Sequence, residues 1–326
     1  MPSPAPTPSS SRVGNALYAA ILDIGSNSIK ILIARRDATT GLPVAEKFKT
    51  LDVRISAGIS KQNPRLTEEA MTRGLAAIQE LLADAAPFNP ARTILVATSA
   101  VRDAANGPEF RQRVLTATGH AIRILTGDEE ASLIGRGLTA DPALAHLRDF
   151  YVFDLGGGSL ECLAFRDRRI AQALSLQLGC VRLTEHFVTD PSRPLTTETL
   201  ARIAAHTRDT FAQSGFRFDL PASAAAIGTG GTITTARAIL GLRAGKQLAD
   251  TDTFLSTEDV RDLLAFTARE PLETRRQIPG LPPARADVFP TALATILAIA
   301  EAGRFSGFHN SLYNLRWGLA AEALAP

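Results

Sequence analysis

At 326 residues, 45% hydrophobic and 21% charged, the chain is long enough for two domains with separate cores. Thirty-five Lys and Arg against 33 Asp and Glu leave a net charge of +2, so no global basic field advertises nucleic acid, and any polyanion site has to be a local patch. A basic leader with an apolar core is absent, as is any run of about 18 apolar residues, which excludes a membrane span and predicts a cytoplasmic protein. Residues 1–14, rich in Pro and Ser with Arg12 as the one charge, should form a disordered tail. Cys162 and Cys180 fit no metal-ligand spacing and read as buried reduced thiols, and the five scattered histidines show no metal spacing either.

In chain order, Leu17 to Leu22 is an apolar strand running into Asp23-Ile24-Gly25-Ser26-Asn27-Ser28, and Ile29 to Ala34 returns as a second strand. Val44 to Ile55 alternates as a third, and Gly58 to Pro64 is a turn. Thr67 should cap a helix with Glu68 and Glu69 in its first turn and Met71, Leu75, Ile78 and Leu82 as its core stripe. Thr93 to Ala97 is a buried strand that leaves through Thr98 to Asn106. Arg102 there has a fork suited to two phosphate oxygens, although a surface arginine is the simpler reading of the residue alone. After the strand Ala121 to Leu125, Gly127 opens a helix through Glu129, Glu130, Leu133, Ile134 and Leu138. Adjacent helix residues diverge by about 100°, so only one of Glu129 and Glu130 faces any given site, and spacing does not choose between them. This helix is also where the chain should cross between domains.

The second half opens with Tyr151 to Phe153, a short buried strand ending in Asp154-Leu155-Gly156-Gly157-Gly158-Ser159, with Leu160 to Phe165 returning. An apolar run closed by an aspartate, three glycines and a hydroxyl reads as a phosphate loop, because successive N–H groups can point at an anion with no Cβ in the way. Asp154 at the strand end suits Mg²⁺, an oxygen-seeking ion that keeps much of its water, and Glu161 could face the same cleft. Arg182 reads equally as a phosphate ligand or a helix-surface charge. Thr196 to Phe211 is helical. A third loop, Ile227-Gly228-Thr229-Gly230-Gly231-Thr232, precedes a helix over Ile233 to Leu240. Ser256 and Thr257 start another helix, and the apolar stretch Asp287 to Gly303 reads as a buried helix of the cleft. The first loop repeats the aspartate, glycine and hydroxyl pattern of the second, which predicts two similar α/β halves with their first hairpins facing each other.

These loops, with Ala97-Thr98-Ser99-Ala100-Val101-Arg102-Asp103, Thr126-Gly127-Asp128-Glu129-Glu130-Ala131, Leu178-Gly179-Cys180-Val181-Arg182 and Leu281-Pro282-Pro283-Ala284-Arg285-Ala286-Asp287, resemble the exopolyphosphatase and guanosine pentaphosphate phosphohydrolase family (Ppx/GppA) from Ala19 to Gly318. The resemblance implies an α/β fold of two actin-like (ribonuclease H-like) domains facing each other across a cleft, with residues 15–128 plus 311–326 in domain I and 129–310 in domain II. It implies Glu130 as the water-activating base, with Glu161 holding the metal or positioning the water. Mg²⁺ or another divalent cation would sit near Asp154, and near Asp23 through water. Gly25, Ser26, Asn27, Ser28, Gly156, Gly157, Gly158 and Ser159 would cradle phosphate with Arg102, while Gly230 and Gly231 line the wall or approach a nucleoside.

Inorganic polyphosphate is the leading substrate under this reading and the 5′-γ-phosphate of guanosine pentaphosphate the second; no nucleic acid or membrane partner is implied, and a homodimer is left open. A sugar or acetate kinase would use the same loops with an acceptor, and a polyphosphate or alarmone sensor would use them without turnover. The segment Asn310 to Gly318 departs from the family pattern: Arg316 and Gly318 are kept, but an acid and a glycine are lost. The further C-terminal helical domains of long members are not in the sequence, so a shortened polyphosphate track is expected.

Overall fold

Twenty-two strands and helices alternate along the computed structural model, which describes residues 17–325; the expected tail lies outside the described residues. The first half contains β1 (Tyr18–Ile24), β2 (Ser28–Arg36), β3 (Pro43–Asp52), α1 (Glu68–Ala85), β4 (Arg92–Ala97), α2 (Ser99–Arg102), α3 (Gly107–Thr118), β5 (Ile122–Ile124) and α4 (Gly127–Thr139). The second contains β6 (Phe150–Leu155), β7 (Leu160–Arg166), β8 (Arg169–Leu176), α5 (Cys180–Phe187), α6 (Thr197–Ser214), β9 (Ala225–Thr229), α7 (Gly231–Arg243), β10 (Phe254–Ser256), α8 (Thr257–Arg269), α9 (Leu272–Arg275), α10 (Phe289–Gly303), β11 (Gly307–Asn310) and α11 (Leu315–Ala323). One sheet runs β3-β2-β1-β4-β5 and the other β10-β11-β9-β6-β7-β8. In each, an antiparallel three-strand meander is followed by strands that add in parallel: β4 on β1 and β5 on β4 in the first, β9 on β6 and β11 on β9 in the second. The two halves therefore repeat one actin-like topology, and β10 is an extra antiparallel edge.

Side-chain alternation along the central strands builds the interior. Ala20, Leu22 and Ile24 of β1 face a core with α1 and α3, and Tyr151, Phe153 and Leu155 of β6 face another with α6, α8 and α10. The intervening residues, Ala19 and Ile21 of β1 and Phe150 and Val152 of β6, share a third core with Ile134 and Leu138 of α4 and Leu319 and Ala323 of α11. Both sheets thus turn their inner faces toward the same pair of helices. Asp23, Lys30, Asp154 and Glu161 continue these inward rows at the strand ends, just where the shared core stops.

Three expectations are corrected. β3 ends at Asp52, and Ile55 is instead buried in the following turn. Thr67 does cap α1 by accepting from the Ala70 N–H, but the buried stripe contains Met71, Ile78 and Leu81, with Leu75 and Leu82 at its flank, because the helix is rolled to bring Ala70, Gly74, Ala77 and Leu81 against the sheet. α10 is buried, yet it packs behind the second sheet on α5, α6 and α8 and does not line the cleft. Among the described residues no helix is long and apolar enough to cross a membrane.

Candidate active site

The first two glycine loops are built alike. Gly25 N–H donates to the Ser28 carbonyl at 3.2 Å, and Gly156 N–H donates to the Ser159 carbonyl at 3.0 Å. The N–H groups of Ser26, Asn27 and Gly157 have no protein acceptor among the described residues, which leaves them free for an anion. The loops meet across the cleft: a Cβ added to Gly157 would lie 2.7 Å from Cβ of Ser26, so this approach requires glycine. The third loop closes the floor. Gly230 sits at φ +82 and ψ −170, a region open essentially to glycine, with Oδ1 of Asp154 only 2.2 Å from where a Cβ would be.

A cavity of about 630 Å³ lies between the loops, lined by Asp23, Gly25, Ser26, Asn27, Ser28, Glu130, Asp154, Gly156, Gly157, Ser159, Glu161, Gly230 and Gly231. Two predicted phosphate ligands are elsewhere. Gly158 is turned away, packed on Ser99 and Ile59, while Arg102 stands behind Glu130, its Nη1 donating to Glu130 Oε2 and to the Leu125 carbonyl, both at 3.1 Å. Arg182 is neither a phosphate ligand nor a free surface charge; it donates to the Gly158 and Ile59 carbonyls and pairs with Asp103 at 2.6 Å, bracing the loop from outside. Cys162 and Cys180 are buried free thiols whose pKa burial pushes up.

The capping box at Thr126 separates the two glutamates of α4. Glu129 reaches back to the Thr126 N–H and pairs with Arg123 at the surface, which turns Glu130 inward, where it is 7% exposed. Burial, then the charge of Glu161, hold the Glu130 carboxyl well above the usual range, with Arg102 opposing them. Asp154 and Glu161 are directly opposed on β6 and β7. Burial raises Asp154 to about 6 against the pull of Lys30, and burial together with the Asp154 charge raises Glu161 to about 7. Glu161 also accepts from Ser175 Oγ at 2.8 Å.

Three cations went unassigned in the sequence reading of the site. Lys30 on β2, Arg285 in the turn before α10 and Arg316 in the first turn of α11 all line the cavity. Arg316 is almost fully buried, 3.5 Å from Asp23 and stacked over Phe48. In the altered C-terminal segment, Asn314 caps α11 by accepting from the Arg316 N–H, which fixes the turn that aims this arginine. The buried Nε atoms of Arg285 and Arg316 and Nδ2 of Asn27 have no partner among the described residues, so donors lining this cavity are left for a ligand to satisfy.

Among the described residues that line the cavity, Asp23, Asp52, Glu130, Asp154 and Glu161 confront Lys30, Arg285 and Arg316, an excess of acid that a phosphate chain end cannot join without added positive charge. No group of three or more His, Cys, Asp or Glu among the described residues could enclose an ion by itself. Raised acids facing each other across β6 and β7 nevertheless fit a hydrated Mg²⁺ held by one or two carboxylates and substrate phosphate.

A model of the Ppx/GppA phosphatase family matches residues 32–325. The chain belongs to this family. Ppx/GppA likeness extends to solved structures: an exopolyphosphatase from Cytophaga hutchinsonii ATCC 33406 aligns with a TM-score of 0.84 at 23% identity, over 94% of this chain and 97% of that one. The Aquifex aeolicus Ppx/GppA member aligns at 0.75 with 23% identity and the same coverages. An exopolyphosphatase-like protein gives 0.81 at 27%, again over 94% and 97%. These likenesses show the fold; the family assignment makes the chain a phosphatase relative.

Proposed function

We propose that the chain is an exopolyphosphatase that removes the terminal phosphate of inorganic polyphosphate by attack of water. The observation carrying this reading is Glu130: a buried, inward-facing carboxylate in a cavity bounded by two phosphate-loop turns and by Arg285 and Arg316. Gly25 to Ser28 with Gly156, Gly157 and Ser159 cradle the terminal phosphoryl oxygens, and the orphaned guanidinium donors flank them. Glu130, steadied by Arg102, orients the water and takes its proton; a carboxylate pushed upward by burial is better matched to proton transfer near neutral pH than an exposed one. Asp154 and Glu161, with Asp23 through water, would hold Mg²⁺, which when bound neutralises charge on the phosphate and leaving group. The Arg316 contact to Asp23 suits that indirect role.

A second reading has an observation of its own. Phe48 and Leu312 are more than half exposed, and with Trp317 they give the cavity an apolar rim suited to a nucleoside, so the 5′-γ-phosphate of guanosine pentaphosphate is the alternative substrate. Phosphate release by the purified protein with Mg²⁺, from long polyphosphate, guanosine pentaphosphate and ATP in parallel, tests both. The fastest release is expected from polyphosphate. Binding of polyphosphate with no release from any of the three would refute the hydrolase and indicate a sensor, and ATP consumption only with an added sugar or acetate acceptor would indicate a kinase.

A further inference from the structure

The segment that follows β3 grips the first phosphate loop. The Asn27 carbonyl accepts from the N–H groups of Val53, at 3.2 Å, and Arg54, at 2.9 Å, and the Ser26 carbonyl accepts from the Ser56 N–H at 3.3 Å. The side chain of Arg54 then reaches two distant parts of the chain at once. Its Nε donates to Asn27 Oδ1 at 2.9 Å. Its two Nη atoms form a fork on the Asp287 carboxylate, with Nη2 at 2.8 Å from Oδ1, and Nη2 also donates to the Ala284 carbonyl at 2.7 Å. Ala284 and Asp287 flank in sequence Arg285, the cation that lines the cavity beside the third loop.

Arg54 itself does not line this cavity; it faces a separate hollow shared with Gly58, Ser60 and Glu185. Its effect on the site runs through Asn27. A guanidinium carries donors only, so the Asn27 amide has to turn its oxygen toward Arg54, and a flip would set Nδ2 against the Nε–H. Nδ2 therefore faces away from Arg54, buried and without a partner among the described residues, in a side chain that does line the cavity. A buried donor left unpaired is unfavourable until an acceptor arrives, and a phosphate oxygen is an acceptor. The backbone of Arg54 is left-handed at φ +43, uncommon for a residue with a Cβ, and in that conformation both its N–H and its Nε meet the same asparagine.

The geometry points to Arg54 as a positioning residue: anchored on Asp287 in the turn that carries Arg285, it fixes the Asn27 amide so that Nδ2 is presented to a phosphate oxygen. The anion-binding turn of the first half is thus set by a carboxylate of the second. This rests on the phosphohydrolase reading above, and the test separates the two. Inorganic phosphate binding is measured by calorimetry with Mg²⁺ present, at a temperature where every variant is folded. The proteins are wild type, Arg54→Met, Arg54→Lys, Asp287→Ala, Asn27→Ala and the double variant Arg54→Lys with Asn27→Ala. Melting temperature and the kcat and KM for polyphosphate are measured beside it.

Arg54→Met should weaken phosphate binding and lower kcat/KM by about 10-fold or more, the scale of one hydrogen bond to a charged group. Arg54→Lys keeps a charge for Asp287 but not a fork that also reaches Asn27, so its melting temperature should stay nearer wild type while its phosphate affinity falls with that of Arg54→Met. A clasp serving stability alone would lower the melting temperature of Arg54→Met and leave phosphate affinity within about twofold of wild type in both variants, which overturns the proposal. Asp287→Ala should repeat the loss of affinity, and wild-type affinity there overturns the anchoring. With Asn27→Ala in place, Arg54→Lys should cost less than about a further twofold, because the amide it sets is gone; additive losses would show that Arg54 acts by another route and refute the assignment. Should Arg54→Met fail to fold, Arg54→Lys with and without Asn27→Ala carries the comparison. If wild type binds phosphate but releases none from any substrate, and Arg54→Lys weakens that binding, the positioning role stands and the hydrolase reading falls.

Discussion

Glu130→Gln is the substitution that most sharply separates turnover from binding. The amide keeps the side-chain volume and an oxygen for the Arg102 Nη1 contact at 3.1 Å, so what is lost is the ability to accept a proton from water. A positioned general base is worth about 10²- to 10⁴-fold, or about 3 to 5 kcal/mol of barrier, and phosphoryl transfer offers little other covalent work for a protein group. Stability should move the other way. A carboxyl whose folded pKa lies above its unfolded one destabilises the fold as pH rises past the unfolded value, so removing it should leave the melting temperature at pH 7 unchanged or higher. Glu129→Gln is the control: its neighbours are the Thr126 N–H and Arg123 at the surface, not the cavity, and its rate should stay within about twofold of wild type. Single-turnover phosphate release, polyphosphate affinity and thermal melting on both variants make the test. Equal rate losses in the two, or full activity in Glu130→Gln, would refute the assignment and turn attention to Glu161.

Asp154→Asn should abolish Mg²⁺-dependent release by about 10³-fold or more, and near-normal rates at saturating Mg²⁺ would contradict its metal role. In EDTA, the same variant should gain stability over wild type progressively from about pH 4 to about pH 6, because ionisation of the wild-type carboxyl in the fold is opposed until its raised pKa is passed; melting curves across that window check the sign. Arg102→Met removes the charge that lowers the Glu130 pKa, so the acid limb of the pH–rate profile should move to higher pH, whereas a purely phosphate-binding Arg102 would raise KM and leave the limb in place. Gly230→Ala places a Cβ 2.2 Å from Oδ1 of Asp154 in a backbone region closed to alanine, and should lower both melting temperature and kcat by displacing that carboxylate; wild-type activity would show that the third loop does not set its position.

How much of this was legible depended on how local the signal is. The strand-loop-strand units around Asp23 and Asp154, the opening of α4 and the caps at Thr67 and Ser256 rest on neighbours within a few residues, and their types and spacing suffice. The choice between Glu129 and Glu130 needed the capping box, which assigns the outer carboxylate to Thr126 and so sends the other inward. Arg102 carried the right chemistry for phosphate but is engaged by a partner 28 residues away. The roll of α1, which buries Leu81 in place of Leu82, is fixed by the sheet it lies on, and a hydrophobic stripe wide enough for either does not determine it. Arg316 was visible as a surviving family residue, yet its approach to Asp23 spans 293 positions and depends on α11 packing against α4 and β1.

Lys30 could have been found from sequence once the two loops were aligned on their aspartates, because each partner lies seven residues on and a tight hairpin makes that offset a cross-strand pair. The informative position in this repeat is where the halves differ. Two hairpins both carrying an acid at that offset would line the cleft with four carboxylates and repel a phosphate from either side; lysine in one breaks that symmetry without altering the backbone. The same comparison accounts for Arg316 and Arg285, one brought beside Asp23 by the returning C-terminal helix and the other against the third loop beside Gly231. Positive charge thus reaches the cavity from β2, α11 and the turn before α10, three separate parts of the chain. The topological repeat supplies the matching aspartates and glycine turns, and the departures from the repeat supply the cations that line the cavity between them.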